Sequence, residues 1–250
     1  MIVGAVSDIG LRRENNQDFM FTSTDEKLPL FIVADGMGGH KSGDIASSMA
    51  VDGIVKYFKE NKNILDSDIN IMRCIREAIN SVNDNIFLKS FELSECSGMG
   101  TTITMAYIHG RKAFIGHVGD SRAYLLREGE LIQITEDHTL INELIKNGSI
   151  TPSEAVNHPQ RNMITRAVGT NASVKLDQIT LETKKSDIII LCSDGLTNMI
   201  EEEIILRVFN RFDNKDMKNI CNVLVNLAKE NGGNDNITVI GINMDNEVLK

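Results

Sequence analysis

The sequence predicts an α+β fold: antiparallel strands covered on their faces by two pairs of helices. Three observations carry this. Short β-branched runs bounded by Gly, Pro, Asn or Asp recur along the chain, some joined by hairpin-like turns such as Arg127-Glu128-Gly129-Glu130. Longer stretches with helical spacing come in pairs, at 42–60 and 68–89 and again at 200–212 and 216–230. The order is strands, helix pair, strands, helix pair, strand, which calls for helical cover on sheet faces. No linker or long internal repeat divides the 250 residues, so they read as one domain.

The elements follow in order. Residues 2–7 read as a first strand, followed by the turn Asp8-Ile9-Gly10. The polar stretch from Arg12 to Asp18 is denser than a turn needs and runs straight into Phe19-Met20-Phe21. Residues 30–35 form a buried strand that stops on Asp35 and opens into Gly36-Met37-Gly38-Gly39-His40. The first helix places Ile45, Met49, Ile54, Val55 and Phe58 toward a core, and the second does so with Ile71, Ile75, Ile79, Val82 and Ile86. After a turn-rich connector at 94–100, strands are expected at 101–108, 112–118, 121–126 and 131–134. A short helix at 140–146 closes on Asn147-Gly148, and Thr151-Pro152-Ser153-Glu154 caps another short piece. Residues 140–160 read as an insertion lying over the body. Strands resume at 163–168, 174–180 and 187–192, the last running into Ser193-Asp194-Gly195, and a final strand spans 237–242.

Composition narrows the function. With 42% hydrophobic and 24% charged residues the chain is an ordinary globular protein. A net charge of -9 argues against a nucleic-acid surface and suits a protein that gathers cations or docks basic partners. No apolar run has the length of a membrane span, and Met1-Ile2-Val3-Gly4 lacks the layout of a signal peptide. Cys74, Cys96, Cys192 and Cys221 have no paired spacing and read as reduced thiols of a cytoplasmic protein.

Three readings of the stretch around Asp35 compete. It is an ordinary β-to-α turn, a phosphate-cradling loop, or a metal site. The phosphate patterns fail on spacing: the glycines a Walker loop needs fall on Asp35 and His40, and Gly36-x-Gly38 is followed by Lys41 where a dinucleotide loop needs glycine. The metal reading depends on partners, and the chain supplies them. Asp35, Asp120, Asp194 and Asp235 each sit beside Gly or Asn at the edge of an apolar strand, and Asp18 opens another. Carboxylates brought to one end of a sandwich repel unless cations bridge them. An all-oxygen donor set points to Mg²⁺ or Mn²⁺ and away from Zn²⁺. Arg13, with its planar fork, suits the oxygens of a phosphate.

Arg13-x-x-x-Gln17-Asp18, Asp35-Gly36-Met37-Gly38-Gly39-His40, Gly98-x-Gly100-Thr101-Thr102, Gly119-Asp120-Ser121-Arg122, Ser193-Asp194-Gly195 and Asp235-Asn236-Ile237-Thr238 occur in the order seen in metal-dependent serine/threonine protein phosphatases of type 2C. The resemblance spans nearly the whole chain and is closest to the bacterial branch of this PPM family. It implies a central antiparallel β-sandwich in αββα layers, with 140–160 as a flap subdomain. It also implies that Asp35, Asp194 and Asp235 hold two core Mn²⁺ or Mg²⁺ ions, that the Gly36 carbonyl completes one shell, and that Asp18 acts through bound water. Asp120 with Asp194 would hold a weaker third ion, and Arg13 would grip the phosphate. Implied partners are phosphorylated proteins, including a membrane-anchored serine/threonine kinase and its substrates, met by a cytoplasmic monomer that binds neither nucleic acid nor membrane.

Three departures matter. Met37 stands where many members carry a histidine proposed as general acid, so that role does not transfer; His40 is the candidate substitute. Gln17 replaces a common glutamate, and Asn198 replaces an aspartate that in some members serves the third ion. The alternatives are a catalytically weak pseudophosphatase that binds phosphoproteins, and a nucleotide-binding enzyme. His109, His117 and His158 have no spaced ligand partners and read as structural, with His138 as a local hydrogen-bonding residue.

Overall fold

β3 (Leu30–Met37) shows how the sequence builds the architecture of this computed structural model. The structure describes all residues except 24, 26–27, 39–41, 93, 156–157, 213–215 and 246–250. Successive side chains of a strand point to opposite faces. Leu30, Ile32 and Ala34 accordingly join a core beneath helices, while Phe31 and Val33 join a second core between two sheets. Both faces are covered, so the strand reads as an unbroken apolar run.

β3 lies in an antiparallel sheet ordered β2 (Asp18–Thr22), β3, β5 (Ile103–His109), β6 (Lys112–Val118), β9 (Asp177–Glu182), with the short β4 (Gly100–Thr101) pairing the end of β3. The other sheet runs β1 (Ile2–Asp8), β11 (Ile237–Asn243), β10 (Ile188–Cys192), β7 (Arg122–Arg127), β8 (Glu130–Gln133), also antiparallel. The middle layer takes Ala106, Ile108 and Ile115 from the first sheet and Leu125, Leu191 and Ile240 from the second. α1 (Ser42–Asn61) and α2 (Asp68–Glu92) cover the first sheet with Ile54, Phe58, Ile75 and Ile79, all fully buried. α6 (Glu202–Arg211) and α7 (Met217–Glu230) cover the second with Ile205, Phe209, Ile220 and Leu224. Each such side chain stabilises the fold by roughly 1.5–3 kcal/mol relative to exposure. The expected αββα sandwich is therefore present. α3 (Leu140–Lys146) and α4 (Pro152–Ala155) are the two short helical pieces of residues 140–160.

The structure corrects the strand expected at 163–168. Its ends make only isolated bridges, Thr139 with Ile164 and Thr101 with Val168, so the segment crosses from one neighbour to another without a continuous ladder. The strand expected at 174–180 lies at Asp177–Glu182. Its register puts Ile179 and Leu181 into the middle layer, and Val174 and Leu176 pack instead on the helix side. The helix expected from 200 begins at Glu202 and is preceded by a one-turn α5 (Asp194–Thr197).

Candidate active site

The strand ends at one edge of the sandwich carry the acids. β2 and β3 pair with Asp18 directly opposite Asp35. Asp120 follows β6, Asp194 follows β10 as the first residue of α5, and Asp235 stands ahead of β11, separated from it by Asn236. Ladder pairing fixes the backbones of Asp18 and Asp35, and Asp120, Asp194 and Asp235 sit within two residues of a strand end.

The surrounding polar side chains are specific. Asp35 is bracketed by two threonines: its N–H donates to Thr102 Oγ1 (2.9 Å), and its carbonyl accepts from Thr101 Oγ1 (2.9 Å) and the Thr102 N–H (2.8 Å). Ser193 Oγ donates to Asp18 Oδ2 (2.7 Å) and accepts from the Thr238 N–H (3.0 Å), tying β2 to the ends of β10 and β11. Asn198 Nδ2 donates to Asp194 Oδ2 (2.9 Å). Gly36 passes so close to the start of α1 that a Cβ would lie 2.0 Å from the Gly43 carbonyl oxygen, which explains glycine there.

Arg13 reaches into this group. Its Nη2 donates to Asp235 Oδ2 at 2.7 Å, which raises the guanidinium pKa, with further attraction from Asp35 and Asp194. The loop carrying Arg13 is pinned by Asn236, whose Oδ1 accepts from the Gln17 N–H (2.8 Å) and whose Nδ2 donates to the carbonyls of Ile9 (2.9 Å) and Asn15 (3.0 Å). An open hollow of about 340 Å³ lies against Arg12, Arg13, Glu14, Asn15, Gln17 and Gly38.

The electrostatics follow from burial and crowding. Burial pushes Asp18 up to about 7 even though the hydroxyls of Ser193 and Thr238 favour its charged form. Burial, then the charge of Asp194, pushes Asp120 up to about 7. Asp35 is raised well above the carboxylate range by burial and then by Asp18, Asp194 and Asp120. Asp194 is raised by burial and by Asp235, despite a hydrogen bond with Asp35. These groups are close enough to oppose one another's ionisation, and that opposition marks a functional site.

One oxygen on each of Asp18, Asp120 and Asp194 is buried with no hydrogen-bond partner. Such atoms are costly unless a ligand satisfies them. Among the described residues no three His, Cys, Asp or Glu side chains are grouped tightly enough, as they stand, to enclose an ion. Asp235 is turned to Arg13 and Asp194 to Asn198. A carboxylate can rotate on a fixed backbone to close the open spacing, and the buried oxygens without a partner call for a ligand. The donor set, all oxygen, suits a hard divalent cation.

The structure thus brings Arg13, Asp18, Asp35, Gly36, Asp120, Asp194 and Asp235 to one edge. His40 lies outside the described residues. Met37 closes β3 half-buried beside Gly100, where its thioether has no proton to give. The supporting roles of Ser193, Thr101, Thr102 and Asn236 were not assigned from sequence, although each stands inside a motif. The His138 contacts described below gave no sequence signal beyond an Asp-His pair.

A family model described as protein phosphatase 2C matches residues 12–236. The serine/threonine phosphatase stp of Listeria monocytogenes is 38% identical over 241 residues, covering 96% of this chain and 94% of that protein. The solved serine/threonine phosphatase of S. agalactiae superposes with a TM-score of 0.90 at 37% identity, over 96% of this chain and 98% of that one. The catalytic domain of the phosphatase PstP, solved with two manganese ions, superposes with a TM-score of 0.81 at 33% identity, over 96% of each chain. Sequence, fold and the acidic strand ends agree, and the chain belongs to the protein phosphatase 2C family of serine/threonine phosphatases.

Proposed function

We propose that this protein hydrolyses phosphoserine and phosphothreonine on proteins at a divalent-metal centre formed by the acidic edge of the sandwich. The observation that carries this is the set of buried, partnerless carboxylate oxygens on Asp18, Asp120 and Asp194 beside the Arg13 hollow. Asp35, Asp194, Asp235 and the Gly36 carbonyl would hold two core ions, Mn²⁺ or Mg²⁺, with Asp18 acting through water. Asp120 and Asp194 would serve a weaker third, where the neutral Asn198 lowers the charge available. The two manganese ions of the PstP structure support the count and the metal. Ions held there supply activation of water and neutralisation of phosphoryl charge.

The chain's own residues do the rest. Asp235 takes one Nη2 bond of Arg13, leaving the remainder of the fork for phosphoryl oxygens. Asn236 holds the Arg13 loop in place through the Gln17, Ile9 and Asn15 backbone, so the guanidinium is positioned before substrate arrives. The carboxyl groups, with their raised proton affinity, exchange protons for cations on metal binding. His40 is the side-chain candidate to protonate the leaving alkoxide, since Met37 is unable to.

The whole of 1–250 acts as one catalytic domain with 140–160 as its flap. Buried free thiols at Cys74, Cys96, Cys192 and Cys221 fit a reducing, cytoplasmic setting. Among the described residues no helix is long and apolar enough to cross a membrane. Phosphorylated proteins are the partners, with a membrane-anchored kinase and its targets as the physiological setting by analogy. The protein acts as a monomer.

Phosphate release from a phosphothreonine peptide, with and without Mn²⁺ or Mg²⁺ and beside an Asp35→Asn control, tests the reading. Release that needs metal and is lost in the control supports it. Folded protein inactive at every metal level would favour the pseudophosphatase alternative, against which the intact acids stand.

A further inference from the structure

Beneath the flap lies a buried polar hub that the reaction as described does not use. Its centre is His138, 5% exposed, which grips Gly119 twice. The His138 N–H donates to the Gly119 carbonyl (2.8 Å), and the Gly119 N–H donates to His138 Nδ1 (3.0 Å). Gly119 turns with φ +111°, and a Cβ there would lie 2.5 Å from Thr102 Cγ2. This peptide delivers the chain from β6 into Asp120, whose Oδ1 is buried and partnerless.

The ring's other nitrogen fixes its state. Nδ1 accepts, so in the neutral imidazole Nε2 carries the proton and donates to Asp177 Oδ2 (3.1 Å). Arg166 Nη1 lies 2.9 Å from the same Nε2 and donates to Asp177 Oδ1 (3.1 Å), holding the carboxylate that orients the ring. Burial lowers the His138 pKa, in keeping with the neutral form. The hub continues to the flap base. The Thr165 N–H donates to the His138 carbonyl (2.8 Å), the Leu140 N–H to Met163 (2.9 Å), and Asn142 Nδ2 to the Asp137 carbonyl (2.9 Å). Asp137 in turn accepts two bonds from Arg122 Nε (2.9 and 3.0 Å) and one from its Nη2 (2.6 Å), two residues beyond Asp120.

We propose that His138 is a positioning residue that fixes the Gly119 peptide, and through it the Asp120 carboxylate, against the base of the flap. The proposal rests on Asp120 being a cation ligand. Asp177 plays the part of a carboxylate that locks an imidazole's tautomer, and residues that orient a ligand in this way are worth about ten- to a hundredfold in metal affinity.

The test compares His138→Phe, His138→Asn, Asp177→Asn and Asp120→Asn with the parent protein. The readouts are hydrogen exchange at the Gly119 amide, calorimetric titration with Mn²⁺, and kcat and KM for a phosphothreonine peptide. His138→Phe keeps the ring volume and removes the acceptor, so Gly119 exchange rises by about tenfold or more. The weakest Mn²⁺ binding step and the half-activating Mn²⁺ concentration move up about tenfold, in the direction of Asp120→Asn, with KM for peptide unchanged. His138→Asn, whose amide oxygen can take the Gly119 N–H, recovers most of the shift. If His138→Phe fails to fold, Asp177→Asn carries the test: it removes the carboxylate that orients the ring and raises the Mn²⁺ midpoint by about tenfold. Parental Mn²⁺ binding in the His138 and Asp177 variants, beside a shifted Asp120→Asn, overturns the proposal and leaves the metal reading standing. Parental Mn²⁺ binding in Asp120→Asn overturns the role of Asp120 itself, and the proposal with it.

Discussion

β10 has an aspartate just outside each end, and the two are handled in opposite ways. Asp187, 2% exposed, accepts from Arg127 Nε (2.9 Å), Arg127 Nη2 (2.6 Å) and the Lys184 N–H (2.6 Å). Asp194, beyond the other end, has a buried oxygen with no partner and further carboxylates around it. A buried acid with both oxygens hydrogen-bonded within its own chain is a structural fastening. A buried acid left with a bare oxygen among like charges is made for something the chain does not contain. The distinction lies in hydrogen-bond satisfaction, since each acid has a buried oxygen and both flank the same apolar strand.

The largest expected effect breaks the contrast from the catalytic side. Asp194→Asn should lower metal-dependent phosphopeptide hydrolysis by more than about a hundredfold, beyond the loss from an outer partner of a ligand. Thermal unfolding of the metal-free variant should be no worse than that of the parent, because a repulsive charge is gone. A variant that loses activity only in proportion to lost folded protein would make Asp194 another Asp187. The mirror experiment is Asp187→Ala. It strands Arg127 and should cost about 3 kcal/mol of stability, the low end for breaking a buried pair because Arg127 is partly solvated. Activity per folded molecule should stay unchanged, and a specific fall in kcat would erase the contrast.

Arg13→Ala should reduce kcat/KM for a phosphothreonine peptide by about ten- to a hundredfold, the worth of a charged hydrogen bond to a developing anion. Lysine at that position should recover part of it, and a parental kcat/KM would remove Arg13 from the site.

Proton linkage sharpens the contrast next. Burial, and then the charge of Asp194, raise the folded pKa of Asp120 to about 7 from the ordinary carboxyl value of 3.8, so between those pH values the folded state holds a proton that the unfolded state has released. Stability of the metal-free protein from this group is present below about pH 4 and is lost as pH climbs toward 7. Asp120→Asn should flatten that slope in chelator, as read by urea unfolding between pH 4 and 8; an unchanged slope would mean that Asp120 ionises freely. The smallest effect belongs to Lys184–Glu128, a surface pair near Asp187 with side chains 61% and 76% exposed. Lys184→Ala should change stability by about 0.5 kcal/mol or less, and a larger loss would show that the Asp187 end depends on surface charge.

The two ends also differ in how far they can be read from sequence. The acids of the candidate edge announce themselves because an Asp beside Gly or Asn at a strand terminus recurs at Asp35, Asp120, Asp194 and Asp235. A short apolar run bounded by Pro29 and Gly36 gave β3, and the helical stripes gave α1 and α2, because burial of a whole element or of one face leaves a local pattern. The clasp of Asp187 by Arg127 joins residues 60 apart and has no local pattern. The same holds for His138 with Gly119 and Asp177. The strand misread at 163–168 fails for a related reason. Its residues have strand propensity, but the neighbours it meets at its two ends belong to different parts of the fold. The shifted strand at Asp177–Glu182 shows that Val174 and Leu176, apolar enough to extend it, were claimed by the helix layer instead.

The Asn236 clasp has a consequence in time. It joins β11 to the loop of Arg13, and Arg13 itself meets Asp235 across 222 residues of chain. A chain emerging from the ribosome therefore exposes Arg13 and Asp18 first and gains Asp235, Asn236 and β11 last. Until that strand inserts between β1 and β10, the Arg13 loop lacks the Asn236 and Asp235 contacts that fasten it. The Arg13 loop and the strand that fastens it are therefore made at opposite ends of synthesis, and the loop gains its fixed position only when β11 is in place.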